Sequence, residues 1–348
     1  MRAAVYEGIE NIQVKDVPVP ELPEDGIKVR VGACAICGSD LRIYHHGHGM
    51  ITPPQVVGHE ICGEIVEVGS KVTKFKVGQR VAVGADSPCG KCDMCEIGLG
   101  TYCRDLNGVG YTISGGFAEY CVFPGFMVAN GPIHVVPDHV SDSLAALAEP
   151  LGCILNGMER IQPKMNDVAV IIGAGPVGCM MIPVLYHLGV SKVIMMDLDE
   201  KRLELAKRMG ADRYVCTAKE SGVDVVMEET DGRGADIVIT ANSAWPTHVD
   251  ALKMAAIRAR VCYFGGLPSG TLVPQYDTNV IHYKELLVVG AHGAMPRHHK
   301  MALDMISSGK LPIEPIITHE FPLSKFNEGL AAAESKGGLK VVINPRED

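Results

Sequence analysis

Cys89, Cys92, Cys95 and Cys103 fall within fifteen residues in the order C-x2-C-x2-C-x7-C. Four thiolates at that density suit a tetrahedral Zn²⁺ with no open coordination position, which is the form of a structural site. An iron–sulfur cluster, whose ferredoxin-type spacings are similar, and a disulfide knot are the competing readings. Gly90, Gly98 and Gly100 give this stretch the backbone freedom to wrap a metal. Upstream, Cys37-Gly-Ser39-Asp40 and Gly58-His59-Glu60 supply a thiol, an imidazole and a carboxylate. Such a donor set holds a borderline-soft metal and leaves a position for substrate. Taken singly, Cys37 reads as a core thiol and His59 as a turn residue. Together, beside a nucleotide motif and a second metal site, they read as a catalytic centre.

The nucleotide motif is Gly173-Ala-Gly175-Pro176-Val177-Gly178, entered directly from the apolar run Val168–Ile172 and answered by Asp197 at the end of the next apolar run. G-x-G-x-x-G between a strand and a helix is a dinucleotide-binding pattern. Gly173 permits the tight turn, Gly175 the approach of a pyrophosphate, Gly178 close helix–strand packing, and the helix N-terminus faces the anion. Asp197 would accept hydrogen bonds from the adenosine ribose, and its charge opposes a 2′-phosphate, which predicts NAD over NADP. The alternative is that Asp197 caps the helix that starts at Asp199. Arg202 counts with the cofactor-binding residues, although it and Lys201 also suit a solvated helix face. Pro183 falls inside the helix after the loop and predicts a kink.

These residues need elements to hold them. At 348 residues, 47% of them apolar, the chain is long enough for about two domains with full cores. The first ~150 residues read as strands: Ala3–Tyr6, Ile27–Val31, Gly63–Val68 and Val77–Val83, punctuated by glycine and proline. This predicts a twisted, partly closed barrel. Ser141 caps a helical run through Leu147 and Ala148. From Val168 to Gly290 the strands Val168–Ile172, Lys192–Met196, Ile237–Thr240, Arg260–Gly265 and Leu286–Val289 alternate with helical patterns such as Asp199–Met209, which Gly210 stops. Alternation of that kind means a parallel sheet covered on both faces. A helix near Pro296–Ser308 and a strand at Leu339–Ile343 follow.

A net charge of −9 argues against a nucleic-acid or anionic-membrane partner. No apolar run approaches the ~20 residues of a membrane span, and Met1-Arg2 leads straight into a strand with no signal peptide. The other eight cysteines (Cys34, Cys37, Cys62, Cys121, Cys153, Cys179, Cys216 and Cys262) are scattered, which suits reduced thiols in the cytoplasm.

Cys37-Gly-Ser-Asp40, Gly58-His-Glu60, the four-cysteine lobe, Gly115-Gly-Phe-Ala-Glu-Tyr120, Glu149-Pro-Leu151 and the glycine loop occur in the order seen in zinc-dependent medium-chain dehydrogenases. The chain resembles the sorbitol (polyol) and threonine dehydrogenase branch of that family over nearly its whole length. The resemblance implies an α/β protein: a GroES-like β-barrel catalytic domain (residues 1–151 and 291–348) plus a Rossmann doubly wound parallel-sheet domain (152–290) for NAD. It implies one catalytic and one structural Zn²⁺. Cys37 and His59 would be direct ligands, Glu60 a permanent or exchangeable one, and Glu149 a ligand directly or through water, ahead of Cys153. Asp40 would orient His59. Ser39 would bond the reacting hydroxyl and pass its proton outward. Many relatives relay that proton through a histidine five residues after the cysteine ligand. Here the position is Arg42, which stays charged, so His45 or His46 takes the role, or the nicotinamide ribose and water suffice.

Glu149-Pro-Leu points to a small-molecule polyol or sugar alcohol, oxidised at a secondary hydroxyl to a ketone. Arg42 and Arg297-His-His-Lys300 would allow a phosphorylated one, or the latter run is a solvated helix start. The competing substrate is L-threonine. Chain length and the Asp199–Met209 helix favour it, whereas Asp86 stands where that branch carries a histidine. A homodimer or homotetramer, paired through Leu286–Val289, is implied.

Overall fold

The computed structural model describes residues 1–268, 270–271, 277–335 and 337–346. The chain divides into two compact units, the first made of Met1–Cys153, Gly293–Lys310 and Ile317–Asp348, the second of Ile154–His292 and Leu311–Ile316. The short segment Leu311–Ile316 thus belongs with the second unit, apart from the C-terminal residues on either side of it.

The first unit is organised on the strand Ile27–Ala35. It pairs antiparallel with Glu60–Val68, Tyr120–Phe123 and Lys340–Asn344. The sheet continues through Arg80–Val83 to Ile133–Val135 on one side and Ile317–Pro322 on the other. A smaller sheet runs Asn11–Asp16, Arg2–Gly8, Gln55–Val56. Ile27, Val29 and Val31 alternate inward, as the sequence pattern predicts, and join Ile61, Ile65, Phe117, Phe123, Phe326 and Ile343 in one core. The predicted strand Val77–Val83 is trimmed to Arg80–Val83 because the chain turns at Gly78 (φ +87°).

Helices interrupt this β unit where the sequence showed strands only or one continuous helix. Gly38–His46 follows the central strand, and its first residues hold Cys37, Ser39 and Asp40. The run after Ser141 divides into Asp142–Ala146, capped by the Ser141 hydroxyl (3.2 Å from Leu144 N), and Ala148–Ile161. Pro150 sits in the first turn of the latter, where no intrahelical N–H donor is needed.

The second unit is a six-stranded all-parallel sheet in the order Arg213–Cys216, Lys192–Asp197, Val168–Ile172, Ala235–Thr240, Ala255–Tyr263, Leu287–Gly290. Numbered along the chain that is 3-2-1-4-5-6, the doubly wound order whose central reversal forms a nucleotide crevice. The strand Val168–Ile172 is buried on both faces, as a central parallel strand must be. Arg213–Cys216 had no strong apolar signal because it is a short edge strand, half-buried at its first two residues. The helix Pro176–His187 runs through Pro183 unbroken. Gly210 ends the helical stretch in a left-handed conformation (φ +79°), as predicted. No helix among the described residues is long and apolar enough to cross a membrane.

Candidate metal centres and nucleotide site

Cys37 is the N-cap of the helix Gly38–His46, with its sulfur facing the Asp40 N–H and the Asp40 carboxylate accepting the Cys37 N–H at 2.8 Å. A thiolate at that place is favoured by the helix dipole. His59 and Glu60 enter from the start of Glu60–Val68. They are preceded by Gly58, whose φ of +96° and close contact with Cys34 and Phe117 leave no room for a side chain. One donor atom from each of Cys37, His59 and Glu60 lies within 4.8 Å of the others. Asp40, His59 and Glu60 are all buried.

The cluster carries unspent bonding capacity. Asp40 Oδ1, His59 Nδ1 and Glu60 Oε2 are buried without a hydrogen-bond partner. Asp40 Oδ1 stands 3.7 Å from His59 Nδ1, facing it but beyond bonding distance. The other oxygen of Glu60 meets Lys340 Nζ at 2.5 Å, and Lys340, itself buried, also donates to Ile36 O at 3.1 Å. A thiol, an imidazole and a half-satisfied carboxylate converging on one point fit a divalent cation. Burial disfavours the charged His59 ring, but Asp40, Cys37 and Glu149 outweigh it and push its pKa well up. Burial likewise raises the Glu149 carboxyl to about 7, despite His59. Glu149 lies in the first turn of Ala148–Ile161, 3.7 Å from the Cys153 sulfur one turn on. It is outside the tight triad of Cys37, His59 and Glu60.

Ser39 Oγ is 3.3 Å from His59 Nε2, so the predicted hydroxyl is at the cluster. Arg42 is exposed on the helix. His45 is engaged elsewhere, its Nε2 2.5 Å from Glu334 and its Nδ1 3.6 Å from Glu10. Of the run 297–300, His298 and His299 are buried and Lys300 pairs with Asp304 at 2.6 Å, so it is no continuous cationic surface. Sequence reasoning missed Tyr111, Lys340 and His48. Tyr111 packs its ring 5.8 Å from that of His59, and burial raises its phenol pKa. A lysine inside the apolar run Leu339–Ile343 was the available signal for Lys340, while Tyr111 and His48 lie in turns that carry no periodicity.

In the four-cysteine lobe the sulfurs stand 3.5 Å (Cys92–Cys95), 3.8 Å (Cys92–Cys103) and 4.0 Å (Cys89–Cys95) apart. A tetrahedron with ~2.3 Å Zn–S bonds has edges of about 3.8 Å. Those separations are far longer than the ~2.05 Å of a disulfide, and all twelve cysteines are free. Backbone N–H groups of Cys89 and Asp105 point at Cys103 Sγ. The hydrogen bond from the Arg104 backbone, with that of Cys95, holds the Cys92 thiol down at about 6, while burial takes Cys103 up to about 12.

In the second unit, Gly173 (φ +121°) turns the chain so tightly that a Cβ there would lie 2.7 Å from Ala241 O, and a Cβ on Gly178 would lie 2.0 Å from Gly173 O. Pro176 and Val177 open the helix at Gly175, with no side-chain cap on its N-terminus. A Cβ on Gly175 would lie 3.1 Å from Arg202 Nη1, and Arg202 Nε is buried and unpartnered. That cradle fits a pyrophosphate. Asp197 is fixed by the N–H groups of Ala174 (2.8 Å) and Asp199 (2.9 Å). It does not cap the next helix, because Asp199 does so with its own carboxylate at 2.8 Å from Lys201 N. A cavity of about 620 Å³ opens beside Asp197, lined by Gly173, Leu198, Thr217, Val223 and Asn242 among others, with room for an adenosine.

Residues 23–133 match a family model described as the alcohol dehydrogenase GroES-like domain, and residues 176–308 one described as zinc-binding dehydrogenase. An L-threonine 3-dehydrogenase of Yersinia pestis (strain Pestoides F) is 36% identical over 340 residues, 96% of each chain. A protein from Sinorhizobium meliloti 1021 described as a zinc-binding dehydrogenase, with NADP bound, superposes with a TM-score of 0.91 at 29% identity over 99% of both chains. An alcohol dehydrogenase from Thermus sp. ATN1 gives 0.90 at 31% identity, again over 99% of both.

Proposed function

Since this chain belongs to the zinc-dependent medium-chain dehydrogenases, and is therefore an NAD(P)- and zinc-dependent oxidoreductase acting on CH–OH, we propose that its substrate is a polyol or sugar alcohol. A secondary hydroxyl is oxidised reversibly to a ketone, with NAD as acceptor. The observation that carries this reading is the charge around the cluster. Asp40, Glu60 and Glu149 are buried there, and the one buried cation among the described residues of that cluster, Lys340, is bound to Glu60. A substrate carboxylate would meet acidic groups with no buried cation left to receive it, whereas hydroxyls find both donors and acceptors in Ser39, Tyr111 and Glu149. L-Threonine remains the second reading, favoured by the 36% identity to threonine dehydrogenases.

Cys37, His59, Glu60 and, directly or through water, Glu149 would hold the catalytic zinc, and Cys89, Cys92, Cys95 and Cys103 the structural one. When bound, the catalytic zinc supplies Lewis-acid polarisation of the hydroxyl, and the nicotinamide accepts the hydride. The protein's own part is positional. Ser39 Oγ takes the hydroxyl proton, Asp40 and Cys37 lock the helix start that carries Ser39, and Lys340 fixes Glu60. Gly175, Pro176, Val177 and Arg202 seat the pyrophosphate, and Asp197 selects a free ribose 2′-hydroxyl over a phosphate. Arg42 is the nearest exposed cation on the same helix for a phosphorylated substrate. Assembly as a homodimer or homotetramer would use the edge strand Leu287–Gly290. The free thiols suit a cytoplasmic setting.

The test is NADH formation by zinc-loaded protein across straight-chain polyols, their phosphates, L-threonine and simple secondary alcohols. A kcat/KM at least tenfold higher for a polyol than for L-threonine is expected. The reverse preference overturns the polyol reading.

A further inference from the structure

The four-cysteine lobe has an asymmetry that holding a metal does not require. Cys92 and Cys95 bring their sulfurs to 3.5 Å, nearer than the 3.8 Å of Cys92–Cys103 and the 4.0 Å of Cys89–Cys95. They stand in the order C-x-x-C, with Cys92 the extended N-cap (φ −85°, ψ 164°) and Cys95 inside the helical turn Asp93–Glu96. Residues three apart on a helix have Cβ atoms about 5–6 Å apart, and a disulfide needs about 3.5–4.5 Å. Cys92, whose backbone lies outside the helical region, closes that gap with a small shift of the cap. Both thiols are partly exposed, and Lys91, Asp93, Glu96 and Ile97 around them are exposed. Cys103 differs. It is buried, and its sulfur accepts the N–H groups of Cys89 at 3.2 Å and Asp105 at 3.4 Å. The near pair is therefore also the pair that a small solute reaches, and the anchored sulfur is outside it.

We propose that Cys92 and Cys95 are a peroxide-sensitive thiol pair, whose oxidation to a disulfide opens the lobe and releases the ion it holds. The proposal rests on the four-thiolate zinc reading of the lobe. Disulfides in cytoplasmic proteins are mostly transient, and either catalytic or redox-sensing. The oxidant is hydrogen peroxide. One sulfur of the pair attacks a peroxide oxygen: an S–O bond forms, the O–O bond breaks, and the leaving hydroxide takes a proton to become water. The other sulfur attacks the first, so that an S–S bond forms, the S–O bond breaks and a second water leaves. The two sulfurs give up two electrons between them, and the peroxide takes both. The sum is two thiols and one hydrogen peroxide giving one disulfide and two waters. Cys89 and Cys103 are then left as the only thiolates of the lobe, too few for a closed tetrahedral site. A dithiol reverses the step by exchange. The catalytic cluster contributes one sulfur, Cys37, to its donor set, so its ligands cannot form a disulfide among themselves.

The experiment adds hydrogen peroxide in steps to the zinc-loaded protein and follows released zinc with a chromophoric chelator. Samples are alkylated and cut with trypsin and a glutamate-specific protease. Cleavage after Lys91, Glu96 and Arg104 puts Cys92 and Cys95 in one peptide, Cys103 in a second and Cys89 in a third. Zinc release should track a loss of about 2 Da from the peptide of residues 92–96, one disulfide for each ion. At the dose that empties half the lobes, alkylation of Cys89 and Cys103 should fall by less than about a tenth. A dithiol with added zinc should restore the ion. Cys37→Ser, which removes the catalytic sulfur, should lose the lobe ion at the same peroxide dose. The zinc content of that variant before oxidation tests the underlying reading, since a lobe without an ion has none to release. The peptide map of metal-free wild type tests the pair independently of that reading. A disulfide joining any other two sulfurs, an ion retained after the pair is oxidised, or sulfinic acid on Cys92 or Cys95 in place of the disulfide would overturn the proposal.

Discussion

Removing the Lys340 ammonium should destabilise the first unit by an amount set by its burial. Lys340 and Glu60 are 2% and 0% exposed, with Nζ 2.5 Å from the carboxylate. Lys340→Met keeps the apolar stem and deletes the charge, leaving Glu60 buried with neither oxygen paired, since Oε2 already has no partner. Breaking a buried pair from one side costs about 3–5 kcal/mol. At about 2–4 °C per kcal/mol for a domain of this size, the metal-free protein should melt roughly 6–20 °C lower. Changing Glu60 as well, to Gln, removes the stranded charge. Lys340→Met/Glu60→Gln should recover most of the loss and keep about 1 kcal/mol of it, the bond to Ile36 O that no variant restores. Zinc should narrow the gap between wild type and Lys340→Met, because a cation at the cluster compensates the same carboxylate. Thermal melts of the three proteins, with and without zinc, read all of this. A single variant within about 1 kcal/mol of wild type, or a double variant as unstable as the single, would refute the view that Lys340 is held there by charge.

Three other outcomes follow from the geometry. Cys95→Ser should lower bound zinc from two per chain to one by metal analysis after dialysis, since a closed four-thiolate site loses its tetrahedron when one sulfur goes. Asp197→Ser should raise the KM for NAD and lower that for NADP, shifting the NAD/NADP kcat/KM ratio by tenfold or more, because the charge opposing a 2′-phosphate is gone. His299 and His134 share a hydrogen bond at 2.9 Å, and burial depresses their pKa values to about 3 and about 4. Both are neutral in the fold and protonate more readily when unfolded, near ~6.5. Stability from this pair is therefore complete above about pH 6.5 and is lost as pH falls toward 4, by about 2 kcal/mol per ring at pH 5. Urea titrations at pH 7.5 and 5.0 should show His299→Leu losing less than wild type between the two, and an equal loss would refute the assignment.

Which parts of this were legible beforehand follows a physical division. The glycine loop, the central strands of the parallel sheet and the four-cysteine lobe were readable because their signals are local. A short, β-branched apolar run ending in glycine reads as a strand buried on both faces, and four thiols in fifteen residues have few other uses. Cys37, Ser39, His59 and Glu60 were readable from short motifs, but how they meet was not, since one group starts a helix and the other a strand. The places of Lys340 and Tyr111 at the cluster were hidden for the same reason in stronger form. Each reaches the cluster only through long-range pairing, Lys340 because Lys340–Asn344 lies against Ile27–Ala35, and Tyr111 through the turn that packs on Gly58. The helix Gly38–His46 was missed because its nine residues follow a strand in a unit whose pattern is otherwise period two.

The same burial that hid Lys340 explains why the cluster has to be completed by a cation. Buried polar atoms in folded proteins are nearly always paired, yet three of the unpaired buried atoms gather at Asp40, His59 and Glu60. One lysine cannot serve them, since its ammonium is already shared between Glu60 and Ile36 O. A divalent ion at the shared focus of the Cys37 sulfur, the His59 imidazole and the free Glu60 oxygen would supply a missing partner and the missing charge. On the proposed reading it would also bear on the substrate that the remaining position accepts. With zinc bound, the thiolate and Glu60 would balance its two charges, and Lys340 would offset the Glu149 carboxylate. Asp40, buried beside them, would leave the site with a net negative charge, so on the polyol reading a neutral hydroxyl would enter more readily than a carboxylate, which would add to a buried acidic wall.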